Sequence, residues 1–109
     1  IEKIVRDYLK SVMNIGVYLE VPREDAPFIV LEKTGSQKVD HIERSTIAVQ
    51  SYGSTMLKTA QLNIQVKEAM ENIIELDEIC ACELNSDYNF TDTDTKKYRY
   101  QAVFNITHY

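Results

Sequence analysis

Apolar side chains recur at helical spacing in two stretches of the chain. The first stretch is residues 1–13, whose apolar positions follow at steps of three and four: Ile1, Ile4, Val5, Tyr8, Leu9 and Val12. The second is residues 55–76, where the stripe consists of Leu62, Val66, Ala69, Met70 and Ile73. We predict a helix in each stretch. Asn14 and Gly16 should close the first, and Ser54 should cap the N-terminus of the second.

The remaining apolar positions have the pattern of β-strands. Residues 17–21 alternate and end at a proline, and residues 28–33 and 40–50 should pair as a hairpin with its tip near Gly35. Residues 78–84 predict a fourth strand, and residues 85–95 a polar loop. Residues 96–109 predict a final strand with one shared face, made of Tyr98, Tyr100, Ala102, Phe104 and Ile106. The order α-β-β-β-α-β-β predicts one α+β domain over residues 1–109, with two helices packed on a mixed or antiparallel sheet.

The charge balance narrows the class of partner. The 109 residues carry a formal charge of −5, which argues against a protein whose task is gripping phosphate backbones. It does not exclude a protein through which DNA slides without specific binding. Because no run of eighteen apolar residues occurs and charges interrupt the N-terminal stretch, we expect no membrane partner and no signal peptide. Cys80 and Cys82 are expected to be free thiols in a reducing cytoplasm.

The chemistry-bearing residues form no familiar catalytic or metal-binding motif. Cys80 and Cys82 would need two further ligands, and only His41 and His108 are available, without zinc-site spacing. The aspartates at 87, 92 and 94 lack the glycine and the glutamate of a calcium loop. The histidines have no evident nucleophile partner, and there is no glycine-rich phosphate loop. We therefore expect no enzyme activity, no catalytic residue, no cofactor and no metal.

Two polar segments are candidate protein contacts. Tyr88 and Phe90 lie in the predicted polar loop, where aromatic rings contribute little to a core but serve as interface anchors. Asp92 and Asp94 share that loop. The second candidate is the charged turn Arg23-Glu24-Asp25. The chain also has seven tyrosines, which fit either an interface or half-exposed positions on a sheet.

Several of these segments together resemble one protein family. The leading helix, the strand ending at Val21-Pro22 and the run Pro27 to Leu31 with its Gly-Ser turn are similar to the tail terminator, or tail completion, proteins of long-tailed bacteriophages. The similarity continues through Ile47 to Tyr52 and into the helix with Ala60, Val66, Ala69 and Met70. It spans roughly residues 1–76. The last two strands match in layout only, and the acidic loop 85–95 departs from the family pattern.

The resemblance implies a structural role in the virion. Such proteins cap the tail tube as a hexameric ring, end its polymerisation and present a surface to the head-tail connector, while DNA passes through. The implied partners are other copies of the chain, the tail tube protein and the connector protein. The implied location is the tail-head junction of a virion made in the cytoplasm of a bacterial host.

Other functions remain open from the sequence. A head completion or connector ring has a similar size and style. A monomeric α+β adaptor that binds a host protein belongs to a different class. A small hydrolase or metal-dependent nuclease is a further alternative, for which the loop aspartates would be the only candidate ligands.

Overall fold

Two helices lie on one face of a five-stranded sheet in a computed structural model that describes residues 1–95 and 97–109. The elements are α1 (Glu2–Met13), β1 (Val17–Tyr18), β2 (Phe28–Val39), β3 (Ile42–Gly53), α2 (Met56–Glu71), a short 3-10 helix (Ile73–Glu75), β4 (Ile79–Asn89) and β5 (Tyr98–His108). The strand order is β1-β2-β3-β5-β4. β1 is parallel to β2, and the other neighbours are antiparallel. The predicted α+β fold with a mixed sheet is confirmed.

The core lies between the helices and one face of the sheet, called here the helix face. The predicted stripe of α2 is confirmed, since Leu62, Val66, Met70 and the following Ile73 are all buried. Val5 and Leu9 of α1 join the same cluster. Opposite them are core residues of β2, β3 and β5: Ile29, Leu31, Ile47, Val49, Ala102, Phe104 and Ile106. The shared face predicted for β5 is therefore confirmed for its last three residues.

The last turn of α1 differs from the predicted stripe. Val12 is 53% exposed, and Met13 packs against the core in its place. The prediction that Asn14 closes the helix is confirmed, because Asn14 has a φ of 55° and its N–H donates to the carbonyl of Lys10.

The first strand is shorter than predicted. β1 contains only Val17 and Tyr18, while Leu19 and Val21 are exposed. Of the alternating apolar residues in 17–21, only Val17 therefore packs in the core. One consequence is that β1 covers only Ile29 and Val30 of the long strand β2.

The predicted hairpin exists, but its tip was placed wrongly. β2 continues past Gly35 to Val39, and the turn is the pair Asp40-His41, with φ values of 48° and 70°. Two consecutive residues with positive φ match the right-handed twist of a two-residue hairpin. The register shifts between Lys33 and Gly35, so the glycine marks a bulge rather than a turn.

Two further boundaries are corrected. Thr55, not Ser54, is the N-cap of α2, since its hydroxyl accepts a hydrogen bond from the N–H of Lys58. Residues 85–89 are not a loop but the second half of β4, paired with β5 through Asn89 and Tyr100. Main-chain pairing with β5 maintains this strand although its side chains are polar.

Candidate functional site

The sheet face opposite the helices, called here the open face, carries aromatic rings from β1, β2, β3 and β4 and from Phe90, which directly follows β4. Tyr18 and Phe28 meet edge to face at 6.3 Å between ring centroids, and Phe28 stacks on Tyr52 at 4.7 Å. At the far side Tyr88 and Phe90 meet edge to face at 5.7 Å. We call these five rings the aromatic row. Phe28, Tyr52 and Val30 form a small second core, with Tyr18 and Ala26 packed against it.

Arg99 joins the two halves of the aromatic row. Its guanidinium lies 4.2 Å from the ring centroid of Phe90 and 5.7 Å from that of Tyr52. It also donates to the Phe90 carbonyl at 2.9 Å and to the Tyr52 hydroxyl at 3.1 Å. A cation held between two rings and two oxygens is fixed in direction. The row is therefore held rigidly, with Phe28 and Tyr52 buried and Tyr88 and Phe90 left at the surface.

The structure connects the two predicted contact segments at opposite ends of this row. Tyr88 and Phe90 form one end and are only about half exposed, and Tyr88 accepts a hydrogen bond from Gln101. At the other end the Tyr18 hydroxyl donates to Glu24 at 2.6 Å, and this hydrogen bond raises the pKa of Tyr18.

The prediction that Tyr88 lies in a polar loop is wrong, whereas the contact role of Tyr88 and Phe90 stays a prediction. Tyr88 lies in β4, and both rings have partners within the chain. The other members of the two predicted contacts, Arg23, Asp25 and Asp94, are exposed.

Asp92 organises the turn that precedes β5. Its carboxylate accepts from the N–H of Asp94 at 2.9 Å and from that of Thr95, which lowers the pKa of Asp92. The carboxylate thus serves the turn rather than an ion. Among residues 1–95 and 97–109 no three His, Cys, Asp or Glu side chains are grouped to hold a metal.

Asp87, which we predicted to lie in a polar loop, lies in β4 and faces the helices. It accepts a hydrogen bond from Asn63 at 2.6 Å and forms an ion pair with Lys67. Both partners lie on α2. The contact fixes α2 against β4 and sets the width of the groove between them.

The outer half of β2 and its turn form the most exposed part of the sheet. Phe28 to Leu31 are buried, whereas residues 32–39 are all exposed, as are Asp40, His41 and Ile42. We call residues 32–44 the distal hairpin. On the side of β2 away from β3, no strand in the described part of the chain pairs with β2 beyond Val30, so the outer edge of residues 31–39 presents unpaired backbone groups. Val39 and Ile42 are direct cross-strand neighbours at the tip, 59% and 41% exposed.

Next to the distal hairpin the open face is a polar trough. Its volume is about 440 Å³, and its lining includes Arg44, Thr46, Glu83, Asn105 and Thr107. The Thr46 hydroxyl donates to the side-chain oxygen Oδ1 of Asn105 at 3.1 Å. The trough offers hydrogen-bonding groups without a grouped nucleophile and base, which suits a protein or solvent contact.

The side chain of His108 contacts a serine hydroxyl, a pairing that the sequence did not predict. Its Nε2 lies 2.8 Å from the Ser45 hydroxyl and 3.8 Å from Glu43, while its Nδ1 lies 3.1 Å from the Tyr109 carbonyl. A carbonyl accepts only, so Nδ1 carries the proton and Ser45 donates to Nε2. Ser45 is 1% exposed, and a substrate cannot reach its hydroxyl. The pair fastens β3 to β5.

The two cysteines differ in surroundings. Both are free; Cys80 is exposed, and Cys82 faces the helices near Leu84. Burial, with a smaller effect of Glu83, raises the pKa of Cys82 to about 11. Cys80 therefore lies at the surface of β4, whereas Cys82 is half-buried.

No protein-family model and no curated protein matches this chain. Among the described residues, no helix has the length and apolar character needed to cross a membrane.

The predicted hairpin ended near Gly35 and did not include the continuation to Val39, although the sequence contained one indication of it. Residues 32–44 contain isolated apolar side chains at 39 and 42 in a polar context, which predicts little by itself. Their separation by Asp-His, two residues that tolerate positive φ better than most, was the available indication of a tip.

Proposed function

We propose that this chain is a ring-forming assembly subunit that caps the tail tube of a long-tailed bacteriophage and joins it to the head. The distal hairpin carries the proposal. It leaves eight residues of β2 exposed beside an unpaired strand edge and ends in two exposed apolar side chains. An open strand edge is a template for pairing with another chain. A contact with a second subunit supplies what the single chain lacks.

The geometry favours a head-to-tail arrangement of subunits. β2 with the small β1 lies at one edge of the sheet and β4 at the other, so two different surfaces face in opposite directions. Contacts of that kind close into rings when the rotation between subunits permits. The resemblance suggests six subunits.

The remaining exposed surfaces suit a subunit that caps the tail tube where the tube joins the head. In the proposed ring the exposed end of the aromatic row, Tyr88 and Phe90, and the Glu24 turn give one face a rigid contact area for the tube or the connector. A closed ring offers the next tube subunit no surface equivalent to the one just occupied, so growth ends. The charge of −5 disfavours adhesion of DNA to the lumen by repulsion.

Deletion of the gene from the phage or prophage that encodes it tests the proposal. We expect overlong or frayed tail tubes beside unjoined full heads in negative-stain electron micrographs of the lysate. Expression of the wild-type chain in trans is the control and should restore normal tails. Tails of normal length beside emptied heads would assign the chain to a head completion ring. Intact virions would reject both assembly roles and favour the monomeric adaptor.

A further inference from the structure

We propose that the tip of the distal hairpin of one subunit seats in the groove between α2 and β4 of the next copy of the chain. The contact deepens the proposed function, because a ring needs two complementary surfaces on each subunit. Its two halves are the exposed pair Val39 and Ile42, and the exposed pair Ile64 and Leu84.

The tip has a defined shape. Val39 and Ile42 are directly opposed across the two strands, and Arg44 lies two residues further along the same face. This face is the open face, since the intervening Glu43 is paired with His108 on the helix face. The two-residue turn holds the pair in a fixed orientation, so little order has to be gained on binding.

The groove is a matching apolar site on the other side of the molecule. Ile64 from α2 and Leu84 from β4, each 50% exposed, form its walls. Met70 and Phe104, both buried, form its floor together with Cys82. Its volume is about 320 Å³, enough for the side chains of a hairpin tip and too small for a whole helix.

One cation of the tip, Arg44, is complementary to two anions of the groove rim, while the turn residue Asp40 lies beside Val39 at the end of the tip. The rim of the groove carries Glu68 and Glu71, whereas Lys67 on the same rim is already paired with Asp87. The tip brings Arg44 on the face that would enter the groove. Within residues 1–95 and 97–109, neither Arg44 nor the two glutamates forms an ion pair. Seating the tip therefore places a cation beside two anions.

The two surfaces cannot meet within one chain. The tip side chains lie on the open face at the β2 edge, and the groove lies on the helix face at the β4 edge. A second copy of the chain is therefore the occupant that the arrangement fits. The contact is heterologous and repeats from subunit to subunit.

Mixing two inactivated variants of the purified chain tests this contact. Val39→Asp places a charge on the apolar tip, and Leu84→Asp places a charge in the wall of the groove. Each variant should therefore sediment as a monomer under conditions where the wild type associates. Their 1:1 mixture retains one intact tip and one intact groove, so it should form a dimer that does not grow further. Val12→Asp and Leu57→Asp are matched controls, since both residues are exposed apolar positions outside the contact. These controls should associate within twofold of the wild type.

The outcomes separate the possible contacts. If Val39→Asp and Leu84→Asp associate like the wild type, other surfaces join the subunits and the proposal is wrong. A tip-to-tip contact would leave Leu84→Asp able to dimerise alone. Thermal melts by circular dichroism verify that each variant is folded. Charge reversal adds a second test: Arg44→Glu and Glu68→Arg should each weaken association tenfold or more, and combining them in one chain should restore most of it.

Disulfide trapping covers the case of weak association. In a background with Cys80→Ser and Cys82→Ala, which removes the native thiol from the groove floor, Val39→Cys with Leu84→Cys should give intermolecular disulfides under copper phenanthroline, whereas Val39→Cys with Leu57→Cys should give few. A monomeric wild type together with equal trapping in both pairs would overturn the contact. That result would leave the gene-deletion test untouched. Conversely, intact virions after gene deletion would reject the phage role while leaving a demonstrated contact standing.

Discussion

Gly53 allows α2 to approach the end of β3, and replacing it should destabilise the domain. A Cβ at this position would lie 2.8 Å from the backbone N and 2.9 Å from the Cα of Thr59, and would also meet the Thr59 hydroxyl. Thr59 is fully buried in the first turns of α2. Because backbone atoms form the contact, α2 has to move rather than a side chain rotate.

The matched control is Gly35, where a Cβ would meet nothing within 4 Å. Overpacking a buried site costs about 1–3 kcal/mol. Replacing a glycine by alanine gains about 0.4–1 kcal/mol from the unfolded chain where no strain results. We therefore expect Gly53→Ala to lower the free energy of unfolding by about 1–2 kcal/mol. Gly35→Ala should raise it by about 0.4–1 kcal/mol.

Urea unfolding followed by circular dichroism measures both changes, at a concentration where the chain is monomeric. For a domain of this size, the melting temperature of Gly53→Ala should fall by about 4–8 °C. Adding Thr59→Ala should not restore stability, since the backbone contacts remain. A Gly53→Ala variant as stable as Gly35→Ala would refute the reasoning that α2 is seated directly on the β3 backbone.

Three further predictions concern single side chains. Thr55→Ala removes the N-cap of α2 and should cost about 1 kcal/mol of unfolding free energy, with Thr55→Ser close to the wild type. Phe90→Ala removes the contact with the Arg99 guanidinium and part of the buried ring area, so it should lower the free energy of unfolding by about 1–2 kcal/mol. An alanine variant as stable as the wild type would show that the ring does not anchor Arg99. Iodoacetamide at pH 8 should modify Cys80 before Cys82, because the pKa of about 11 leaves roughly one thiolate in a thousand at Cys82. Mass spectrometry of the digested protein measures both labelling rates. Faster labelling of Cys82 would contradict its burial.

The helices were predictable because their signals are local and strongly periodic. The stripe of α2 from Leu62 to Ile73 identified the buried face of the helix correctly. The cap was predicted one residue too early, because Ser54 and Thr55 are adjacent residues that both favour the N-cap position and the sequence does not select between them.

The outer sheet was less predictable because its residues do not pack on a core. Residues 32–39 of β2 have no apolar alternation, since both of their faces are exposed, and the glycine at 35 looked like a turn. Residues 85–89 of β4 were assigned to a loop for the same reason. Their strand depends on pairing with β5 and on Asp87 meeting Asn63 across the helix face, which are contacts distant in sequence.

The candidate surfaces were predictable only in part. Composition pointed to Tyr88 and Phe90, and to the charged turn at Glu24, as contact residues. It could not show that Phe28, Tyr52 and Arg99 connect them across the open face, because that neighbourhood depends on strand order. The His108–Ser45 pair was missed for the same reason, since the two residues are 63 positions apart.

Tail length in lysates of a gene-deletion strain is the most direct test of the central claim. The strain would be complemented with the wild-type chain, with Val39→Asp or with the Leu57→Asp control, and tails would be measured in negative-stain micrographs. We predict overlong, unjoined tails without complementation and with Val39→Asp, and normal virions with the wild type and the control. Normal tails joined to heads in the uncomplemented deletion strain would contradict the claim that this chain ends tail polymerisation.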